Sequence, residues 1–115
     1  MSGLTVYGIK SCDTCRKALR WLDAEGREYL WHDLRADGLD AATVQAWIKA
    51  VGPETLVNRR STTWRGLDEA TRTAALDEQG AVAVLWEHPT LIKRPVFVNG
   101  GRVRVGFNAA VKDSL

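Results

Sequence analysis

Cysteine is scarce in this chain. Only two occur among 115 residues, and no long hydrophobic run is present. The longest wholly apolar stretch, Ala81 to Trp86, falls far short of the roughly 20 residues a membrane-crossing helix needs. The opening residues, Met1-Ser2-Gly3-Leu4-Thr5-Val6-Tyr7, lack the charged region and apolar core of a signal peptide, so a cytoplasmic location is expected. A surplus of one charge is missing too. Sixteen basic and fourteen acidic residues leave a net charge of +2, without the basic excess of a general nucleic-acid binder. Repeats, low-complexity segments and linkers are not seen. The composition, 45% hydrophobic with five tryptophans, is too apolar and too evenly charged for a disordered chain. A single domain over residues 1–115 is expected, large enough to bury about two-thirds of its unfolded surface without a metal or disulfide staple.

What is present is an ordered series of strand and helix signals. Residues 4–8 read as a short strand, Gly8 to Ser11 as a turn, and about Asp13 to Ala24 as a helix. Cys15, Ala18, Leu19 and Leu22 recur at the spacing of one buried helical face. Gly26 ends that helix, and residues 28–33 read as a second strand, completing a βαβ unit. Asp40 is placed to cap a helix over about 41–51, whose stripe is Val44, Trp47, Ile48 and Val51 and whose stop is Gly52-Pro53. Residues 54–67 are irregular. Helical pieces are expected near 68–78 and 80–87, although Ala81 to Trp86 also fits a buried strand. Val96 to Val105 forms a hairpin turning at Asn99-Gly100, and a last helix begins near Asn108. The order predicts an α/β fold: a small mixed sheet of about four strands, with a helical insert over about 38–90 separating the βαβ and ββα parts.

Both cysteines lie in Cys12-Asp13-Thr14-Cys15. A disulfide across so short a loop would constrain almost nothing, so the pair points to chemistry rather than stapling. Cys12 falls between a strand end and a helix start, where unpaired N–H groups and a partial positive charge favour thiolate over thiol. Lys10, Arg16 and Lys17 add positive charge nearby, and the loop residues Ser11, Asp13 and Thr14 offer further contacts to a substrate. The same N–H groups suit an oxyanion. Cys15 lies one turn on, on the buried stripe, where it could serve either as a second thiol or as a core residue. One Cys-x-x-Cys supplies two zinc ligands, and His32 and His88 show no ligand spacing, so no metal is expected. Arg94-Pro95 precedes a strand and is a candidate cis peptide. Arg59 and Arg60 are either a solvated surface or a second cationic contribution to a site.

These residues carry a likeness. Val6-Tyr7-Gly8-Ile9-Lys10 with Cys12-Asp13-Thr14, Lys17-Ala18 with Trp21-Leu22, Asp37-Gly38-Leu39, Asn58 to Arg65, Leu91 to Pro95 and Val105-Gly106-Phe107 follow in order along almost the whole chain. Together they resemble the arsenate reductase-like family of thioredoxin-fold proteins, and within it the YffB-like group. The resemblance implies a thioredoxin-like (glutaredoxin-like) sheet interrupted by a helical insert, with Cys12 as nucleophile. It implies that Arg94 and an insert arginine, matched by Arg60 with Arg59 as its neighbour, hold an oxyanion or sulfur substituent. Arsenate reductases proper carry a further arginine on the final strand, where this chain has Val105, with Arg104 one residue out of register. Cys-x-x-Cys is similar to the redox switch of Spx, a related regulator that binds RNA polymerase.

The expectation is therefore a monomeric thiol oxidoreductase. Glutathione would be co-substrate, glutaredoxin a possible helper and a small oxyanion or thiol the substrate, with no tightly bound cofactor. Its rival is a regulator that uses Cys12 and Cys15 as a switch and binds RNA polymerase without turnover.

Overall fold

Along the first strand, β1 (Leu4–Gly8), Leu4, Val6 and Gly8 are buried while Thr5 and Tyr7 are partly exposed. Alternation of this kind turns one set of side chains to a core. The computed structural model describes residues 3–115 and places β1 inside a four-stranded sheet ordered β2-β1-β3-β4. Here β2 is Leu30–Asp33, β3 is Val96–Asn99 and β4 is Arg102–Val105. β1 runs parallel to β2 and antiparallel to β3, and β3 and β4 form an antiparallel hairpin. This is the expected mixed sheet, with the thioredoxin-like order of a βαβ part followed by a ββα part.

Residues up to Gly38, together with Arg94–Leu115, make one compact unit, and Leu39–Lys93 make a second. In the first, helix α1 (Asp13–Ala24) buries Cys15, Ala18 and Leu22, as its periodicity predicts. Leu4, Val6, Ala18, Leu22, Phe97 and Val111 form the core, flanked by Trp21, Trp31 and Phe107. Complete burial of a side chain such as Leu22 is worth about 1.5–3 kcal/mol. The unit closes with α7 (Ala109–Ser114), whose cap Asn108 accepts a bond from the Val111 N–H at 2.9 Å.

In the second unit, α2 (Ala41–Val51) starts at its expected cap. Asp40 Oδ1 accepts from the N–H groups of Ala42 at 2.8 Å and Thr43 at 3.3 Å. α2 stops at Gly52, whose φ of 83° favours glycine. The irregular stretch contains two single-turn helices, α3 (Pro53–Leu56) and α4 (Thr62–Arg65). α5 (Glu69–Ala75) and α6 (Ala81–Glu87) follow. Ala81 to Trp86 is helix rather than strand, because Ala81, Val84 and Leu85 bury one helical face, and α6 packs on α2 and α5.

Three boundaries differ from expectation. α5 ends at Ala75 rather than near residue 78, because Leu76 N donates back to Thr73 O at 3.2 Å and closes the helix with a tighter turn. The second strand begins at Leu30 rather than residue 28, since pairing with β1 runs only from Thr5↔Leu30 to Gly8↔Asp33. Asn99 pairs with Arg102, so Gly100-Gly101 makes the hairpin turn and Gly100 takes the positive φ of 63°. Among the described residues no helix is long and apolar enough to cross a membrane.

Candidate active site

Cys12 is the residue from which α1 springs. Its backbone is extended, with φ −79° and ψ 121°, and its N–H donates to Ile9 O at 3.0 Å, closing the turn after β1. Its carbonyl accepts from Arg16 N at 3.0 Å, the first bond of the helix. The side chain is half-buried. Burial pushes the Cys12 thiol up, but donors outweigh it and hold its pKa below the ordinary value. They are the backbone N–H and thiol of Cys15, then the Arg94 guanidinium, which adds its charge.

Cys15 is its opposite. It is 1% exposed, and burial, reinforced by the hydrogen bond with Cys12 and that residue's charge, pushes its pKa up to about 12. Both thiols are free. The pair is thus polarised: Cys12 ionises readily, while Cys15 stays protonated and donates. Gly8 is what leaves room for the buried sulfur. A Cβ on Gly8 would lie 2.5 Å from Cys15 Sγ and 2.9 Å from Trp31 Cη2. A cavity of about 380 Å³ also reaches Cys15, walled by Ile9, Leu19, Tyr29 and Trp31 with Lys10 and Arg16.

Lys10, Ser11, Asp13 and Thr14 are exposed around Cys12. Arg16, read from sequence as one of the charges near the thiol, is turned onto the loop backbone. Its Nε donates to Lys10 O at 3.2 Å and its Nη2 to Ser11 O at 3.1 Å. Asp33, at the end of β2, holds the same loop from another direction, its Oδ2 accepting from Lys10 N at 3.1 Å. Arg94 is half-buried before the buried Pro95, and the bond between them is cis. Cys12, Cys15, Arg94, Pro95 and the loop from Lys10 to Thr14 all belong to the first unit.

Arg59 and Arg60 belong to the second unit, where both are exposed. Their turn is built by Asn58, whose Oδ1 accepts from Arg60 N at 3.1 Å and whose N–H donates to Leu91 O at 2.8 Å. With Lys93 and Asn58 they line a cavity of about 500 Å³ that has Glu54 as its acidic member. Arg104 is committed to structure, its Nε donating to Ser114 Oγ at 3.1 Å. His32 Nε2 lies 2.7 Å from Gly38 O. Among the described residues, no group of three or more His, Cys, Asp or Glu is placed to hold a metal ion.

Sequence reading did not single out two residues of this site, Gly8 and Asp33. Gly8 lay inside a strand pattern, where an isolated glycine signals close approach of another group. Asp33 ended a strand ahead of Arg35-Ala36-Asp37-Gly38, a composition typical of a carboxylate-capped turn.

A profile described as the ArsC family matches residues 7–113. A solved structure of a YffB protein is 42% identical, with 96% of each chain covered and a TM-score of 0.89. A solved arsenate reductase (ArsC) related protein from Brucella melitensis is 41% identical over 99% of this chain and 93% of its own, with a TM-score of 0.80. The global transcriptional regulator Spx of Bacillus subtilis is 25% identical over 107 residues, spanning 91% of this chain and 80% of the relative.

Proposed function

Because the chain belongs to the ArsC family, we propose that it is a cytoplasmic, glutathione-linked thiol oxidoreductase with Cys12 as nucleophile. The observation that carries this reading is the convergence on Cys12 of the Cys15 N–H and the Arg94 guanidinium. In exchange with oxidised glutathione, the Cys12 thiolate attacks one sulfur. A Cys12–glutathione disulfide forms, the original S–S bond breaks, and the second glutathione leaves as thiolate. Arg94 and the helix N–H groups stabilise negative charge on sulfur, or on an oxyanion bound in its place. Reduced glutathione then attacks the glutathione sulfur of the adduct, oxidised glutathione forms and Cys12 leaves as thiolate. Where Cys15 attacks the Cys12 sulfur instead, glutathione leaves as thiolate and a Cys12–Cys15 disulfide forms. Two further reduced glutathiones then restore both thiols and leave as oxidised glutathione.

The test is mass spectrometry after exposure to oxidised glutathione, paired with a turnover assay that supplies glutathione and a disulfide substrate. One glutathione per chain, lost in Cys12→Ser and cleared by reduced glutathione, is the expected result. An unmodified Cys12 would sink the reading.

One observation favours a second function. Cys15 donates to Cys12 from one turn into the same helix, the arrangement of a disulfide switch, and the Spx relative is a regulator. Capture of RNA polymerase that depends on the oxidation state of the pair, without turnover, would select that function instead.

A further inference from the structure

Among the described residues, Asp33 is the one charged side chain that is buried, at 7% exposure. A buried carboxylate is costly unless its oxygens are paired. The hydrogen bonds to this one all come from backbone, and the Lys10 ammonium adds its charge. Oδ1 accepts from Arg35 N at 2.8 Å and Ala36 N at 2.9 Å, bonds that shape the turn after β2. Oδ2 accepts from Lys10 N at 3.1 Å, 23 residues away in the loop that leads to Cys12. Sheet register makes that reach possible: Asp33 lies opposite Gly8, and Leu34 N donates to Gly8 O at 2.8 Å.

The Arg16 guanidinium holds the same loop by its carbonyls, at Lys10 O and Ser11 O. Lys10 is therefore held at its N–H by an anion and at its C=O by a cation, each charge matched to the dipole it meets. The thiol's own donors are Cys15 and Arg94. Asp33 and Arg16 instead fix the backbone from which the thiol projects.

We propose that Asp33 is the positioning residue for Cys12, fixing through the Lys10 N–H the loop that aims the thiol at its donors, with Arg16 as its counterpart on the loop carbonyls. This rests on the reading of Cys12 as a reactive thiolate, and not on glutathione as its partner.

Positioning and plain electrostatics predict opposite signs. Removing an anion by Asp33→Asn favours a nearby thiolate, so by charge alone the Cys12 midpoint falls. An asparagine that keeps both turn bonds on its carbonyl must point its NH₂ at the Lys10 N–H, donor against donor. The loop then loses its anchor, the thiolate loses alignment with Cys15 and Arg94, and the midpoint rises.

The experiment titrates Cys12 by thiolate absorbance and by iodoacetamide alkylation in wild type, Asp33→Asn and Arg16→Lys, beside thermal unfolding. The expected result for Asp33→Asn is a midpoint raised by about one pH unit, with alkylation below the midpoint slowed about tenfold. Arg16→Lys keeps the charge but loses the planar fork, and should shift the midpoint the same way by less. An unchanged or lowered midpoint in folded Asp33→Asn, whatever the loss of thermal stability, overturns the proposal. If that variant does not fold, hydrogen exchange at Lys10 decides: a protected amide in wild type with a raised midpoint in Arg16→Lys supports it, and an unprotected amide or an unmoved midpoint overturns it. None of these readouts involves glutathione, so a Cys12 that obeys them yet never forms the glutathione adduct would sink the proposed function alone.

Discussion

At the scale of single residues, the site is two thiols driven apart by their surroundings. Cys12 is exposed enough to react and surrounded by donors; Cys15 is sealed in and pushed up to about 12. The rate of Cys12 alkylation against pH should therefore inflect below the ordinary cysteine value, measured in Cys15→Ser to keep one thiol. Arg94→Ala should move the inflection upward and slow alkylation at neutral pH about tenfold, the effect of one pKa unit. Arg94→Lys should recover part of the loss, since it restores charge without the fork. Equal rates in all three proteins would leave Arg94 without a role at sulfur. Cys12 and Arg94 were legible because each sits at a punctuation mark of the chain, a strand-to-helix junction and a residue before proline. Arg16 was legible as a charge but not as a brace, because its bonds are to carbonyls, which no sequence displays. Asp33 was invisible as a partner of Lys10 because only the register of two paired strands brings them together.

At the scale of elements, α1, α2 and the β3–β4 hairpin were readable, since each is long enough to show periodicity and carries a cap or turn residue at its end. The single-turn α3 and α4 are too short to show periodicity, so they read as irregular chain even though Pro53 opens α3 and Ser61 caps α4, its Oγ accepting from Trp64 N at 3.1 Å. The junction of β1 and α1 depends on Gly8. Gly8→Ala should cost about 1–3 kcal/mol as an overpacked core position, read from denaturant midpoints. Cys15→Ala in the same chain should return part of that cost, because it removes the nearest clash while the one with Trp31 stays. Strict additivity of the two substitutions would show that the glycine is not there for the sulfur. In the second unit, Asp40→Ala should cost about 1 kcal/mol through the lost cap of α2.

At the scale of the whole molecule, the two thiols make stability depend on pH with opposite signs. Cys15 holds its proton more tightly when folded, so its contribution is complete below its ordinary value of 9.0 and is lost as pH rises from there towards about 12. Cys12, depressed on folding, contributes above its unfolded value and loses that contribution as pH falls through its folded one. Unfolding midpoints in denaturant should thus decline above about pH 9, and the decline should be shallower in Cys15→Ala; an identical decline would mean that the buried thiol is not its source. The sheet carries a consequence for the protein's birth. Leu4 pairs with Asn99, so β1 cannot gain its second neighbour until almost all the chain exists. Synthesis runs from the N-terminus, and Cys12 emerges with its helix long before Arg94 is joined to the chain. The guanidinium that helps ionise the sulfur arrives just ahead of β3, the strand that gives β1 its second neighbour. Activation of Cys12 is therefore assembled in two stages: the Cys15 donors come with the helix, and the guanidinium joins them only when most of the chain has been made.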